Sequence, residues 1–187
     1  KKREVYDASW KAPGVSPARY LEQLGVLRDM TAIHLNYLEK SDLSRLAENN
    51  ASAVFCPGST RWFGRKTWMP VKDLLDRGIA VGLGTDSLAS NDSMNFLDEI
   101  RLSEEMVPEV HRSEILWLAT VGGSQALCIE KLGLESGQPA DLIGFRFNNS
   151  EEDWWDLPFG LGRQQVDFSM VDGEVIFQKS DIKGENQ

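Results

Sequence analysis

Two side chains in this 187-residue chain carry the strongest chemical signal, His34 and Asp86. His34 follows the apolar run Met30-Thr31-Ala32-Ile33. Asp86 follows Ile79-Ala80-Val81-Gly82-Leu83-Gly84-Thr85. An imidazole can take or give a proton near neutral pH, and a carboxylate can ligate a divalent metal. Converging at one end of a sheet, the two could bind a metal and activate water. Gly82 and Gly84 would let the backbone pass close to a neighbour or a ligand. Each residue also has a plainer reading. Asp86 could cap the Ser90-Asn91-Asp92-Ser93 stretch, and His34 could be a hydrogen-bonded core histidine. Their recurrence at the ends of successive apolar runs favours the chemical reading.

The other candidates are weaker. His111 sits between Pro108-Glu109 and Arg112-Ser113, at a predicted helix start, and reads as solvated surface. Cys56 could be a metal ligand but reads better as a small buried side chain. Trp62, Phe63 and Trp68 interleave with Arg61, Arg65 and Lys66. Such interleaving can bind single-stranded nucleic acid. In one short loop of an acidic chain, a substrate-facing role is preferred, with Arg61 and Trp62 as the substrate-binding candidates.

The elements that must position these residues follow from pattern. Ser16-Pro17 opens a predicted helix with Tyr20, Leu21, Leu24 and Leu27 at three-to-four spacing and Gly25 as its stop. Ser41-Asp42 is the expected cap of a second helix, through Leu43 and Leu46 to about Asn49-Asn50. The apolar run over 51–56 is stopped by Pro57-Gly58, and a loop is predicted over 59–67. Pro70, Val71, Leu74 and Leu75 predict a helix closed by Gly78. Three short apolar runs thus start near residues 30, 52 and 79, each joined to an amphipathic helix. That alternation predicts a parallel sheet buried on both faces. In such sheets, function gathers at the C-terminal strand ends. Helical patterns follow over 94–106, 112–121 and 123–132. Strands are predicted over 140–145 and 166–177, with Asp172-Gly173 as a hairpin turn. Residues 148–162 read as an irregular insertion.

Composition bounds the rest. The formal net charge is −9, and 41% of residues are hydrophobic and 26% charged. That describes a globular domain with a sizeable core. The acidic balance offers no footprint for nucleic acid or an anionic membrane, so neither is an expected partner. Two cysteines form no disulfide framework. No apolar run approaches the roughly 18 residues of a membrane span. Lys1-Lys2-Arg3 is followed by no apolar segment, so no signal peptide is predicted and a cytoplasmic location is expected.

From Ser16 to about Asp141 the ordered motifs resemble the C-terminal half of the amidohydrolase superfamily. They are Ser16-Pro17 with Tyr20-Leu21 and Leu24-Gly25; His34-Leu35-Asn36-Tyr37-Leu38; Cys56-Pro57 with Ser59; Gly82-Leu83-Gly84-Thr85-Asp86-Ser87-Leu88-Ala89-Ser90-Asn91; and Glu99-Ile100-Arg101. Gly137-Gln138-Pro139-Ala140-Asp141-Leu142 resembles the family's return strand, and Val171-Asp172-Gly173-Glu174-Val175 its closing hairpin. The nearest subgroup looks like the deaminases and chlorohydrolases of purine, pterin, triazine or adenosine-like substrates.

The resemblance implies an α/β fold: part of a (β/α)8 barrel, its sixth to eighth strands with their helices, followed by strands of a small β domain. Residues 1–136 would be the partial barrel and 137–187 the β segment. The family holds a divalent metal, usually zinc or iron, with a His-x-His pair after the first strand, a His after the fifth and an Asp after the eighth. A His after the sixth strand assists the attacking water. By this likeness Asp86 is a metal ligand and, with His34, a catalytic residue. The implied cofactor is a divalent metal, by preference zinc. The implied activity is deamination of a purine- or adenosine-like substrate by metal-activated water.

The chain departs from the pattern in having no His-x-His and no fifth-strand His. A complete barrel needs about 250 residues. The expectation is a C-terminal portion of a longer enzyme, partnered by the missing N-terminal half of the barrel. By itself it should be inactive and bind zinc weakly. The seventh-strand loop departs too, with Gly58, Thr60 and Arg65 where relatives often carry a basic or amide residue and a His. Two other functions remain open. One is a different hydrolase of the superfamily, removing halide or opening an amide ring. The other is a non-catalytic interaction module that buries its open sheet edges against a partner, a homodimer among the arrangements allowed.

Overall fold

The computed structural model describes residues 9–129, 133–145, 158–159 and 166–179. Its first half repeats one unit. Helix α1 (Pro17–Gln23) precedes strand β1 (Thr31–Ile33). Helix α2 (Lys40–Glu48) leads to β2 (Ser52–Phe55). Helices α3 (Pro57–Trp62) and α4 (Val71–Leu75) lead to β3 (Val81–Leu83). The strands form a parallel sheet in the order β1-β2-β3, with Ile33 beside Val54 and Val54 beside Gly82. All three therefore end at the same edge.

Residues in register point to the same side of a parallel sheet, and sides alternate along a strand. Ala32, Ala53, Phe55, Val81 and Leu83 share one side and are buried. Leu43, Leu46, Val71, Leu74, Leu97, Ile100, Ile115 and Leu118 complete the core around them. The other side is covered unevenly, which corrects the expectation of burial on both faces. At β3 it is closed, but Ile33 at the end of β1 is 56% exposed. The cover comes from the segment after β3. Helix α5 (Phe96–Met106) and α6 (Arg112–Trp117) are followed by a π-helical turn (Leu118–Gly122) and α7 (Gly123–Ala126). A Cβ at Gly82 would come within 2.9 Å of Gly123 Cα, so only glycine permits this approach.

Local chemistry explains the boundaries. Ser16 caps α1 by accepting from the Arg19 N–H at 3.2 Å, with Pro17 in the first turn. The cap of α2 is Glu39 rather than Ser41. Glu39 and Asp42 form a reciprocal capping box, so Ser41 and Asp42 lie within the first turn. The loop expected over 59–67 is replaced at its start by α3. Pro57 does end the apolar run, but at N1 it has no N–H to lose and so starts a helix directly. The helix expected over 112–121 splits into α6 and the π-helical turn. That expected over 123–132 gives α7, and residues 130–132 lie outside the described part.

The tail forms a second sheet of β4 (Leu142–Gly144), β5 (Phe168–Val171) and β6 (Glu174–Gln178), antiparallel in that order. Asp172 and Gly173 make the predicted turn with φ of 49° and 79°. The insertion expected over 148–162 lies outside the described residues except at 158–159. No helix among the described residues is long and apolar enough to cross a membrane.

Candidate active site

The common edge of β1, β2 and β3 carries His34, Cys56 and the Gly84–Ser87 loop. The His34 N–H continues the ladder to Val54 O at 3.0 Å, and Gly84 N–H does the same to Phe55 O at 2.9 Å. Both chemically active residues then leave the sheet in left-handed backbone, His34 at φ 74° and Asp86 at φ 60°. Non-glycine residues adopt that conformation at a cost that surrounding structure must offset, and His and Asp tolerate it better than most. The consequence is convergence. His34 Nε2 lies 3.6 Å from Asp86 Oδ2, with side chains 40% and 29% exposed. The structure thus brings together the two residues that the sequence singles out. It also bears on their plainer readings: His34 is not sealed in the core, and the Asp86 carboxylate takes its side-chain hydrogen bond from Ser59 of α3 rather than from the 90–93 stretch.

Ser59, in the first turn of α3, donates to Asp86 Oδ2 at 2.8 Å. That bond is the chief reason the Asp86 carboxyl sits below its ordinary pKa; Ser90, the nearby imidazole and the Ser87 N–H add to it against a burial penalty. Asp86 is therefore ionised at neutral pH. Cys56 behaves oppositely. Burial, and then the neighbouring Asp86 and Glu99 carboxylates, push its thiol up to about 12. It is 2% exposed and protonated, which fits the small buried side chain expected. Gly84 makes room for it: a Cβ there would meet Val54 Cγ1 at 2.9 Å and Cys56 Sγ at 3.3 Å.

Behind this edge lies a fully buried carboxylate, Glu99 of α5. Its Oε2 accepts the Gly58 N–H at 2.9 Å, and its Oε1 accepts Asn91 Nδ2 at 2.7 Å. Asn91 Nδ2 also donates to Thr85 O at 2.7 Å. Burial raises the Glu99 pKa, and the two N–H donors pull against that rise. Ser59, Ser90, Asn91 and Glu99 stood inside the family-like motifs without an assigned role. A Glu between Leu97, Ile100 and Ser103 on the buried face of α5 was the one local signal.

Arg61 and Trp62 sit at the far end of α3. Arg61 Nη2 is 3.4 Å from Glu105 Oε2 and its side chain is 64% exposed. It lines a groove of about 290 Å³ with Gly58, Asn91, Asp98, Arg101 and Glu105, whose described lining includes neither His34 nor Asp86. Trp62 stacks edge-on against Phe63 with centroids 4.8 Å apart. His111 is exposed and caps α6, its Nδ1 accepting the Ser113 N–H in a capping box with Glu114.

Comparison with known proteins agrees with this geometry. The sequence profile of the Amidohydrolase family matches residues 7–176. A 5-methylthioadenosine/S-adenosylhomocysteine deaminase of Caldanaerobacter subterraneus subsp. tengcongensis is 34% identical over 97% of this chain and 45% of its own length. One of the same name from Pyrococcus furiosus is 34% identical over 75% of this chain and 35% of its own. The chain spans less than half the length of these curated relatives. Among solved structures, a zinc-bound adenosine deaminase of Xanthomonas campestris superposes with a TM-score of 0.80 at 25% identity, covering 89% of this chain and 41% of that one. Zinc-bound atrazine chlorohydrolase of Arthrobacter aurescens gives 0.79 at 27%, covering 89% and 40%. The fold is thus part of a (β/α)8 barrel.

Proposed function

The chain belongs to the amidohydrolase family, and from that premise we propose that it forms part of a metal-dependent aminohydrolase deaminating a purine- or adenosine-like heterocycle. The observation that carries the reading is the His34–Asp86 approach of 3.6 Å on the C-terminal edge of the sheet. On this reading β1, β2 and β3 are the sixth, seventh and eighth barrel strands. The chain divides near residue 136, and β4–β6 belong to a small β domain.

Asp86 suits one place in a zinc donor set, since it is ionised and partly open to solvent. Among the described residues no group of three or more His, Cys, Asp and Glu side chains could hold a metal ion. On this reading the other donors come from outside this chain. A bound zinc lowers the pKa of water toward neutrality and supplies the nucleophile. His34 holds or passes a proton at Nε2, beside Asp86 Oδ2. Ser59 aims the carboxylate through its hydrogen bond, and Ser59 with the neighbouring Ser90 favours its ionised form. Water replaces the ring amino group, which leaves as ammonia. Arg61 and Trp62 remain candidates for contacts to the outer part of a substrate.

A substrate panel with zinc tests this, run on the complete product of the gene and on the 187-residue chain. Ammonia release from 5-methylthioadenosine, S-adenosylhomocysteine or adenosine is the expected result for the complete product. The likeness to atrazine chlorohydrolase favours a second reading; halide release from a chlorotriazine without ammonia release would establish it instead. The 187-residue chain should be inactive and bind zinc weakly. Tight stoichiometric zinc in that chain would refute the placing of the remaining donors elsewhere.

A further inference from the structure

Three segments that are far apart in sequence meet at Glu99. Its Oε2 takes the N–H of Gly58, the residue immediately before Ser59. Its Oε1 takes Asn91 Nδ2, which reaches on to the carbonyl of Thr85, the residue immediately before Asp86. The two residues that form the Ser59–Asp86 hydrogen bond are thus each one peptide away from a group tied to the same carboxylate. The packing leaves no slack. A Cβ at Gly58 would lie 2.5 Å from both Asn91 Nδ2 and Glu99 Oε1. Turning Asn91 over would break the bond that its Oδ1 accepts from the Ser93 N–H at 3.3 Å. Nothing in this arrangement touches a reacting group.

We propose that Glu99 is a positioning residue: through the Gly58 amide on one side and the Asn91 side chain on the other, its buried carboxylate fixes the two loops that bring Ser59 onto Asp86. The role requires acceptors at both carboxylate oxygens, which no neutral side chain of the same shape provides. Glutamine can keep the Gly58 bond with Oε1, but its Nε2 then confronts Asn91 Nδ2, donor against donor. Asn91 must flip to escape, and Thr85 O loses its partner. The placement of the Thr85–Asp86 loop then depends on the strand end and on the Ser59 bond to Asp86. The importance of Glu99 for catalysis rests on the assignment of Asp86 proposed above, but its positioning does not.

Amide hydrogen exchange, resolved by NMR on the 187-residue chain, separates the two. The Ser90 N–H donates to Ser87 O at 2.9 Å, within the loop between Thr85 and Asn91, so this amide reports on the loop. Glu99→Gln should speed exchange at Ser90 by 10-fold or more relative to Ser52 and Ala53, whose N–H groups donate across the sheet to Met30 O and Ala80 O, with Gly58 within about 3-fold of wild type. Asn91→Ala should give the same local pattern with the Gly58 bond intact, and it carries the test if Glu99→Gln does not fold. The double variant Glu99→Gln/Asn91→Asp restores a bond between positions 91 and 99 with reversed polarity but leaves Thr85 O without a donor. Its loop exchange should stay fast. Recovery in the double variant, or an equal change at loop and strand amides, would overturn the proposal. Neither result depends on substrate or metal, so failure here is distinct from failure of the functional reading.

Discussion

Away from the C-terminal edge of the three-stranded sheet, Gly82 in mid-strand lies against Gly123, and at the N-terminal end the Thr31 hydroxyl donates to the Ala126 carbonyl at 2.6 Å. At the C-terminal end, His34 and Asp86 stand in left-handed backbone with side chains open to solvent. The first end is made of backbone contacts and small side chains that close a helix terminus onto the strands. The second is made of polar side chains held by hydrogen bonds from other loops. The same three strands thus serve packing at one end and chemistry at the other. Substitutions should separate accordingly, moving stability at the first end and activity at the second.

The largest effect is expected at the chemical end. Asp86→Asn in the complete gene product removes the carboxylate charge while keeping its shape. We expect kcat/KM for deamination to fall at least 1,000-fold, about 4 kcal/mol of transition-state stabilisation. Urea unfolding should shift by only about 1 kcal/mol, because Asn keeps an oxygen that can accept from Ser59 and loses only the charge. An active variant would remove Asp86 from the site and collapse the contrast between the ends. Next is Gly122→Ala at the packing end. The added Cβ would run into Val81 O and the Trp117 ring. Neither a strand carbonyl nor a ring packed against the core can readily retreat, so a loss of about 3 kcal/mol is expected in urea unfolding.

These two examples also show what could be read from sequence. The three strands were legible because each is a short apolar run ended by Gly, Pro or a polar residue. Gly82 and Gly84 in a strand pattern signalled a close neighbour, and the neighbours are Gly123, Val54 and Cys56. His34 and Asp86 were legible because they end such runs. Helix α3 was not, because Pro57-Gly58 is locally a stop signal. What satisfies the Gly58 N–H is a carboxylate 41 residues away. Likewise Ser59 matters through Asp86, 27 residues on. Spacing within one element reveals neither contact. The cap of α2 moved for a smaller reason, since Glu39 at the boundary competes with Ser41 for the same role.

Ser59→Ala sharpens the comparison at a middle scale. Ser59 is 1% exposed, and its hydroxyl donates to an ionised carboxylate. Losing a hydrogen bond to a charged group costs about 1.5 kcal/mol. The folded Asp86 pKa lies below its unfolded value, so its stabilisation is present above the ordinary carboxylate value, near about 3.9, and is lost as pH falls through the folded value. Without Ser59 the folded pKa rises back toward that ordinary value. The variant should therefore be less stable than wild type at neutral pH, and the gap should narrow on acidification below the usual carboxylate range. A gap that is constant across that range would mean that Ser59 acts by packing alone.

The smallest single effects belong to the hydroxyls beneath the sheet, and their size follows from redundancy. Ala126 is the last residue of α7, so its carbonyl has no partner within the helix. Thr31 Oγ1 reaches it at 2.6 Å and Ser52 Oγ at 3.1 Å. Ser52 Oγ also lies 3.1 Å from Thr31 Oγ1. A hydroxyl has one proton, so with both residues present Ser52 can serve Thr31 while Thr31 serves the carbonyl. Thr31→Val frees Ser52 to donate to Ala126 O, and Ser52→Ala leaves the Thr31 bond in place. Each single variant should therefore cost only about 0.5 kcal/mol, the low end for one hydrogen bond. The double variant leaves the carbonyl without either donor and should cost about 2 kcal/mol, a coupling of about 1 kcal/mol in a double-mutant cycle. Strict additivity would show that the carbonyl finds another partner and that the closure of α7 onto the strands rests on Gly82 and Gly122 alone. The chemical end has no such reserve, because among the described residues Ser59 alone donates a side-chain hydrogen bond to the Asp86 carboxylate. That is why one hydroxyl should cost more there than either of the two beneath the sheet.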